Sequence, residues 1–302
     1  MLVNMNDVLL PARKGRYAVG LFNAVNLEMA RGILQAAEHT GSPVIMGTAE
    51  VLLPYGPLEE LSYFLIPMAK KAKVPVVIHL DHGLSHSLCL KALELGFSSI
   101  MYDCSTDPYE DNVRKVREMA EIAHGYGATI EGELGHVGNN GDGTDPSQYF
   151  TDPEMARDFV TRTGVDALAI AVGNAHGAYK LPPKLDFERI RAIAGAVNVP
   201  LVLHGGSGLS DDDFRRAIRE GICKVNIFTD INSAAAAAVR RESTADAHCE
   251  SASAVRPNAA APAESPADGL GLTDLIPAVV EAVQVETEKK LQLFGSVGKA
   301  GN

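Results

Sequence analysis

The sequence predicts an α/β fold, a (β/α)8 TIM barrel that carries a low-complexity segment and a C-terminal helix. Three observations predict it. Short apolar runs rich in β-branched residues alternate with helix-patterned segments eight times along the chain, joined by short polar turns. Several of those runs end in histidine, aspartate, asparagine or glycine, as parallel strands do where a barrel keeps its chemistry. No Gly-x-Gly-x-x-Gly follows a strand near the start, which argues against an open, doubly wound sheet.

After a short lead, residues 17–22 are expected as the first strand, and Asn26 caps a helix patterned by Met29, Ile33 and Leu34. Residues 43–46 form the second strand, with a helix over 58–71. The third strand runs over 74–80 into His79-Leu80-Asp81-His82-Gly83, and the helix after it closes at Gly96. Residues 98–102 lead to Asp103, then a helix over 109–124 leads to a fifth strand at 128–131 and on to Glu133. A glycine-rich loop over 135–147 precedes a helix with Pro153 in its first turn. The sixth strand, 165–172, ends near His176-Gly177; the seventh, 199–203, stops at His204-Gly205-Gly206-Ser207; the eighth is 222–227. Residues 1–239 are thereby assigned to the barrel. Residues 240–268, rich in Ala, Ser, Pro and Glu, are expected to be a mobile surface segment. The remainder, 269–302, holds an amphipathic helix expected to pack on the barrel or on a neighbouring subunit.

Composition narrows the function. A chain of 302 residues with a formal net charge of −11 has no general affinity for nucleic acid, and no cluster of Lys or Arg reverses that. A phosphorylated substrate must then be attracted locally, by a metal, amide dipoles and a few cations. No apolar run is long enough to span a bilayer, and the start lacks a signal-peptide core, so a cytoplasmic location is expected. Cys89, Cys104, Cys223 and Cys249 share no metal-site spacing and are expected as free thiols.

The candidate chemistry lies at the strand ends. A buried strand has no stability reason to finish in imidazoles and a carboxylate, because each costs desolvation unless it is paired, ligated or hydrogen-bonded. His82, His176 and His204 end the third, sixth and seventh strands, so a barrel brings them to one mouth, where three imidazoles suit a catalytic zinc ion with room for substrate. Asp81 is the candidate proton donor and acceptor, with orientation of an imidazole as its other reading. Alternation along a strand places Asp81 and His82 on opposite faces unless the backbone turns there. Asp103 and Glu133 are candidates for a second or alternative metal, or for salt bridges near the site. Gly205, Gly206 and Ser207, between a strand and a helix, offer amides to a phosphate, and Asn226, Ile227, Phe228 and Thr229 face the same corner.

Read together, these residues resemble the class II, metal-dependent ketose-bisphosphate aldolases, the fructose- and tagatose-bisphosphate aldolase family. The segments that carry the resemblance are His79-Leu-Asp-His-Gly83, Glu131-Gly-Glu-Leu-Gly135, Asn174-Ala-His-Gly-Ala-Tyr-Lys180, Val202-Leu-His-Gly-Gly-Ser-Gly208, Lys224-Val-Asn-Ile-Phe-Thr229 and Phe294-Gly-Ser296. Their order along the chain is far more specific than any one of them. The resemblance implies that His82, His176 and His204 bind Zn2+ or another divalent ion, that Asp81 moves a proton, and that Asp103 and Glu133 hold an alternative or second metal. It also implies that Gly177, Gly205 to Ser207 and Asn226 to Thr229 take the dihydroxyacetone phosphate portion of a small-molecule sugar phosphate, and that the protein is a homodimer or homotetramer.

Three departures stand out. Phe228 occupies a position where some fructose-bisphosphate enzymes carry aspartate, and residues 240–268 show no Asp-Pro-Arg, whose arginine grips the far phosphate in relatives. The loop that often supplies a glutamate base offers only Asp142 and Asp145. Other readings are a Schiff-base aldolase using Lys224, which leaves three histidines unexplained, a zinc hydrolase on the same barrel, and a non-catalytic accessory subunit.

Overall fold

Eight parallel strands close into a barrel in chain order, β1 pairing with β8. The computed structural model describes residues 1–137, 149–175, 184–253 and 271–301, with backbone alone for 245–253. The strands are β1 (Val19–Asn23), β2 (Val44–Ala49), β3 (Val76–Gly83), β4 (Ser99–Tyr102), β5 (Thr129–Leu134), β6 (Ala167–Ile170), β7 (Leu201–Leu203) and β8 (Ile222–Ile227). The expected eight-fold alternation is therefore the observed one. Between and after them run α2 (Leu27–Thr40), α3 (Leu58–Lys71), α4 (His86–Leu95), α5 (Tyr109–Gly125), α6 (Pro153–Thr163), α7 (Phe187–Ala196), α8 (Asp211–Glu220), α9 (Thr229–Ser253) and α10 (Leu272–Phe294).

The expected lead is a helix, α1 (Met5–Gly15), and it closes the N-terminal end of the barrel. Asn4 and Asp7 form a capping box at its start, and Met5, Val8, Leu9 and Ala12 make one apolar face. That face packs beneath Val19, Leu21, Ile45, Val77, Ala167, Ala169 and Val202, which fill the lower interior of the barrel. Pro11 and the brevity of the apolar stripe hide this helix from periodicity, since its face is fixed by what lies above it. The floor of the barrel is thus plugged largely by apolar side chains, with Thr129 accepting the Met5 N–H at its edge.

At the other end of the chain, α10 docks against α2 so closely that a Cβ on Gly32 would lie 2.7 Å from the Val280 carbonyl. The Ala18 N–H donates to the Phe294 carbonyl, and Phe294 packs on Phe214 with ring centroids 5.3 Å apart. The C-terminal helix thus packs against α2 and the first strand of its own barrel, one of the two surfaces considered for it. Helix α9 continues through the compositional change at Arg240 as far as Ser253; the rest of the low-complexity segment lies outside the described residues. Cys89, Cys104 and Cys223 are buried free thiols. Among the described residues no helix is long and apolar enough to cross a membrane.

Candidate active site

The third strand sets the site, and it does so by breaking its own alternation. His79 and Asp81 point into the barrel while Leu80 packs outward in the core. His82 should then face outward as well. Instead its φ is +43°, and the β3–β4 register slips between Leu80 and Gly83. This left-handed turn costs a non-glycine residue about 1–2 kcal/mol. Its effect is to bring His82 and Asp81 to the same mouth, so that ligand atoms of Asp81, His82 and His204 all lie within 4.8 Å of one another. The backbone turn that would exempt the two neighbours from alternation is therefore present. Gly83 permits it, because a Cβ there would come 2.6 Å from Cys89 Sγ and 2.8 Å from the Met101 carbonyl.

Each of the two imidazoles is held from behind by a carboxylate. His82 Nδ1 lies 2.8 Å from Asp103 Oδ2, and His204 Nε2 lies 2.7 Å from Glu131 Oε1. The opposite nitrogens, His82 Nε2 and His204 Nδ1, face each other at 2.6 Å, with the rings nearly perpendicular at 84°. An imidazole oriented through one nitrogen by a carboxylate presents the other to a metal. This donor set therefore fits a divalent ion. Asn174 adds a staple from the loop after the sixth strand, donating to the His204 carbonyl at 3.0 Å. His176 and Gly177, the expected third ligand and a phosphate contact, lie outside the described residues, as do Asp142 and Asp145.

Asp81 is 3% exposed and receives an amide N–H on each oxygen, from Asn23 Nδ2 at 2.7 Å and from Asn226 Nδ2 at 2.9 Å. Burial opposes its ionisation, but the charges of His82, His204 and Lys224 outweigh burial and hold the carboxyl well below the usual range. It is therefore ionised and free of a proton, the state in which a carboxylate can accept one. Burial acts against the charge on His82 too, yet Asp81 and Asp103 raise its pKa to about 9. Glu133 behaves in the opposite way, pushed up to about 8 by burial and by Asp103. It lies with His82 and Asp103 in a second group whose ligand atoms fall within 4.8 Å. His79, by contrast, is fully buried, bonded to Ser99 Oγ at 2.8 Å, and driven down to about 3 by burial and Lys224, so it is a neutral interior residue.

A cavity of about 420 Å³ opens above these groups. Gly205, Ser207, Asn226, Ile227, Phe228 and Thr229 line it, which brings the expected phosphate corner to the same mouth as Asp81 and His82. Gly206 does not line it, and its N–H donates to the Asn226 carbonyl at 3.3 Å, tying the seventh strand's loop to the eighth strand. Gly205 has φ +64°, and a Cβ there would overlap the Ala175 carbonyl. Gly205→Ala must therefore displace this loop. The expected result is a KM for a phosphorylated substrate raised about tenfold or more, the cost of one charge-assisted hydrogen bond, with bound metal unchanged; steady-state kinetics and elemental analysis check it.

Sequence reasoning gave no role to Asn23, Glu131 or Asn174. Asn23 ends the first strand and points inward, so the strand-end rule that found Asp81 would have found it had that strand been extended by one residue; Glu131 is the third residue of β5, and only the closed barrel sets it behind His204. Asn174 acts through backbone groups, which leaves no mark in residue chemistry.

Residues 3–299 match the family model described as fructose-bisphosphate aldolase class-II. This chain belongs to the class II fructose-bisphosphate aldolase family. It is 38% identical to the 6-phospho-5-dehydro-2-deoxy-D-gluconate aldolase of Shouchella clausii, over 99% of this chain and 96% of that one. It is 39% identical to the fructose-bisphosphate aldolase of Staphylococcus aureus, over 79% of this chain and 85% of the relative. The crystal structure of the YdjI aldolase from Escherichia coli K12 superposes with a TM-score of 0.83 at 36% identity, covering 99% of this chain and all of the other. The protein is thus an aldolase, a carbon–carbon lyase of a metal-dependent class. The relatives differ in the substrates their names give, so family membership alone leaves the substrate of this class II aldolase open.

Proposed function

We propose that this aldolase is zinc-dependent and reversibly cleaves a phosphorylated ketose, of the fructose 1,6-bisphosphate or tagatose 1,6-bisphosphate kind, to dihydroxyacetone phosphate and an aldehyde. The observation that carries this reading is the pair of carboxylate-anchored imidazoles converging beside a doubly hydrogen-bonded aspartate. His82 Nε2 and His204 Nδ1 would hold the ion, with His176 as the third ligand and Asp103 and Glu133 as partners for a second or alternative ion. When bound, such an ion supplies a Lewis acid that stabilises the negative charge left when the C3–C4 bond breaks. Asp81 takes the proton of the C4 hydroxyl in cleavage and returns it to the aldehyde oxygen in condensation. Gly205, Ser207 and the start of α9 at Thr229 give the phosphate amide donors and a helix N-terminus, which an acidic protein needs in place of a basic patch. We take the protein to work in the cytoplasm as a homodimer or homotetramer, a state that sedimentation velocity reads directly.

Chelation tests the reading. Treatment with EDTA is expected to abolish cleavage in a coupled screen of ketose mono- and bisphosphates, and added zinc to restore it. Full activity in metal-free protein, or no aldehyde from any ketose phosphate in the zinc-loaded form, would overturn it. The Schiff-base alternative finds no support in the geometry, since Lys224 Nζ is engaged by Glu131 at 2.9 Å and by Asn226 at 2.8 Å.

A further inference from the structure

Directly beneath the proposed proton-transfer group lies a fully buried ion pair. Lys224 and Glu131 both have side chains with no exposure, and their charged atoms are 2.9 Å apart. Such a pair is a poor source of stability, because desolvating two charges offsets their attraction and apolar residues of similar volume do as well or better. Its contacts suggest another use. Lys224 and Asn226 are two apart on β8 and so share the inward face, and Lys224 Nζ donates to Asn226 Oδ1 at 2.8 Å.

We propose that Lys224 is a positioning residue whose ammonium fixes the Asn226 side-chain amide so that its NH2 group, and not its carbonyl, faces Asp81. An ammonium has only donors, so Asn226 must turn its oxygen towards Lys224. The nitrogen is then left for Asp81 Oδ1, which it meets at 2.9 Å. A flipped amide would set a carbonyl oxygen against a buried carboxylate, an arrangement with two acceptors and no proton between them. The second amide on Asp81 lacks such an anchor, since Asn23 Oδ1 has no hydrogen-bond partner among the described residues. Of the two donors that hold the carboxylate, Asn226 is the one whose orientation is locked from below. The same ammonium balances Glu131, whose other oxygen holds His204. One buried cation thereby ties together the two sides of the site, the imidazole side through Glu131 and the proton-transfer side through Asn226.

This inference rests on the proposed role of Asp81, and the experiment separates the two. Every variant carries Glu131→Gln, which keeps the core neutral when the lysine is removed and can still accept from His204. Lys224→Met is then measured with Asn226 intact and with Asn226→Ala. With Asn226 intact, kcat is expected to fall about 10²-fold relative to Glu131→Gln alone, the scale of a small misplacement of a reacting group, with KM and zinc content little changed. In the Asn226→Ala background the same substitution should cost nothing further, because the link is already cut. An equal fall in both backgrounds, or no fall in either, would overturn the proposal and leave Lys224 a charge-balancing residue. Lys224→Leu serves in the same cycle if Lys224→Met does not fold. Asp81→Ala is assayed alongside. Retained cleavage there removes the role of Asp81 and the inference with it, whereas loss of cleavage together with additive Lys224 costs removes the inference alone.

Discussion

Asp81→Ala is expected to lower kcat for ketose phosphate cleavage by about 10²–10⁴-fold, the range that a positioned general acid or base contributes. The carboxylate is 3% exposed, held ionised by nearby positive charge, and fixed through both oxygens by Asn23 and Asn226. Removing it takes away the base without taking away either imidazole. Bound metal should therefore stay at the level of the unsubstituted protein, as read by elemental mass spectrometry, while turnover collapses. Asp81→Asn is a harsher change than it looks, because its own NH2 would meet an amide donor on one side. It should lose as much activity and some thermal stability as well. If zinc leaves together with activity in Asp81→Ala, Asp81 is a metal ligand and the proton-transfer role belongs to another group.

His204→Ala is expected to remove bound metal and activity together. Its ring presents Nδ1 towards His82 Nε2 and is anchored through Nε2 to Glu131, so its loss removes a direct donor. The fall in zinc affinity should exceed the roughly 10–100-fold that loss of an outer partner costs. There is a stability cost as well. Glu131 has no solvent exposure, and losing the imidazole leaves one of its oxygens without that bond, a penalty of about 1–3 kcal/mol. A lowered melting temperature in the chelated protein, where metal cannot contribute, isolates that cost. Normal zinc content in this variant would mean that the ion is held elsewhere, and the site described above would have to be abandoned.

Much of this molecule is legible in its sequence. The alternation of apolar runs with helical patterns fixes the number and kind of elements, because a parallel strand buried on both faces must be apolar through its length and a covering helix must carry a stripe. The strand-end position of Asp81, His82 and His204 follows from the same pattern. The residues that make the site work were harder to see. Glu131, Asn23 and Lys224 look like interior polar residues of unrelated strands until the barrel closes and sets them beside one another. Helix α1 was unreadable for a related reason, since its short apolar face has meaning only against the barrel floor.

What the sequence by itself determined is which residues end the strands and therefore which chemistry is available at the mouth. What only the tertiary structure decided is the direction each group faces. Local pattern gives a strict alternation along β3, and alternation would have separated His82 from Asp81. The left-handed turn at His82 and the slipped register beside Gly83 put them together, a departure of about 1–2 kcal/mol in a fold where Asp103, beyond the fourth strand, holds the turned imidazole.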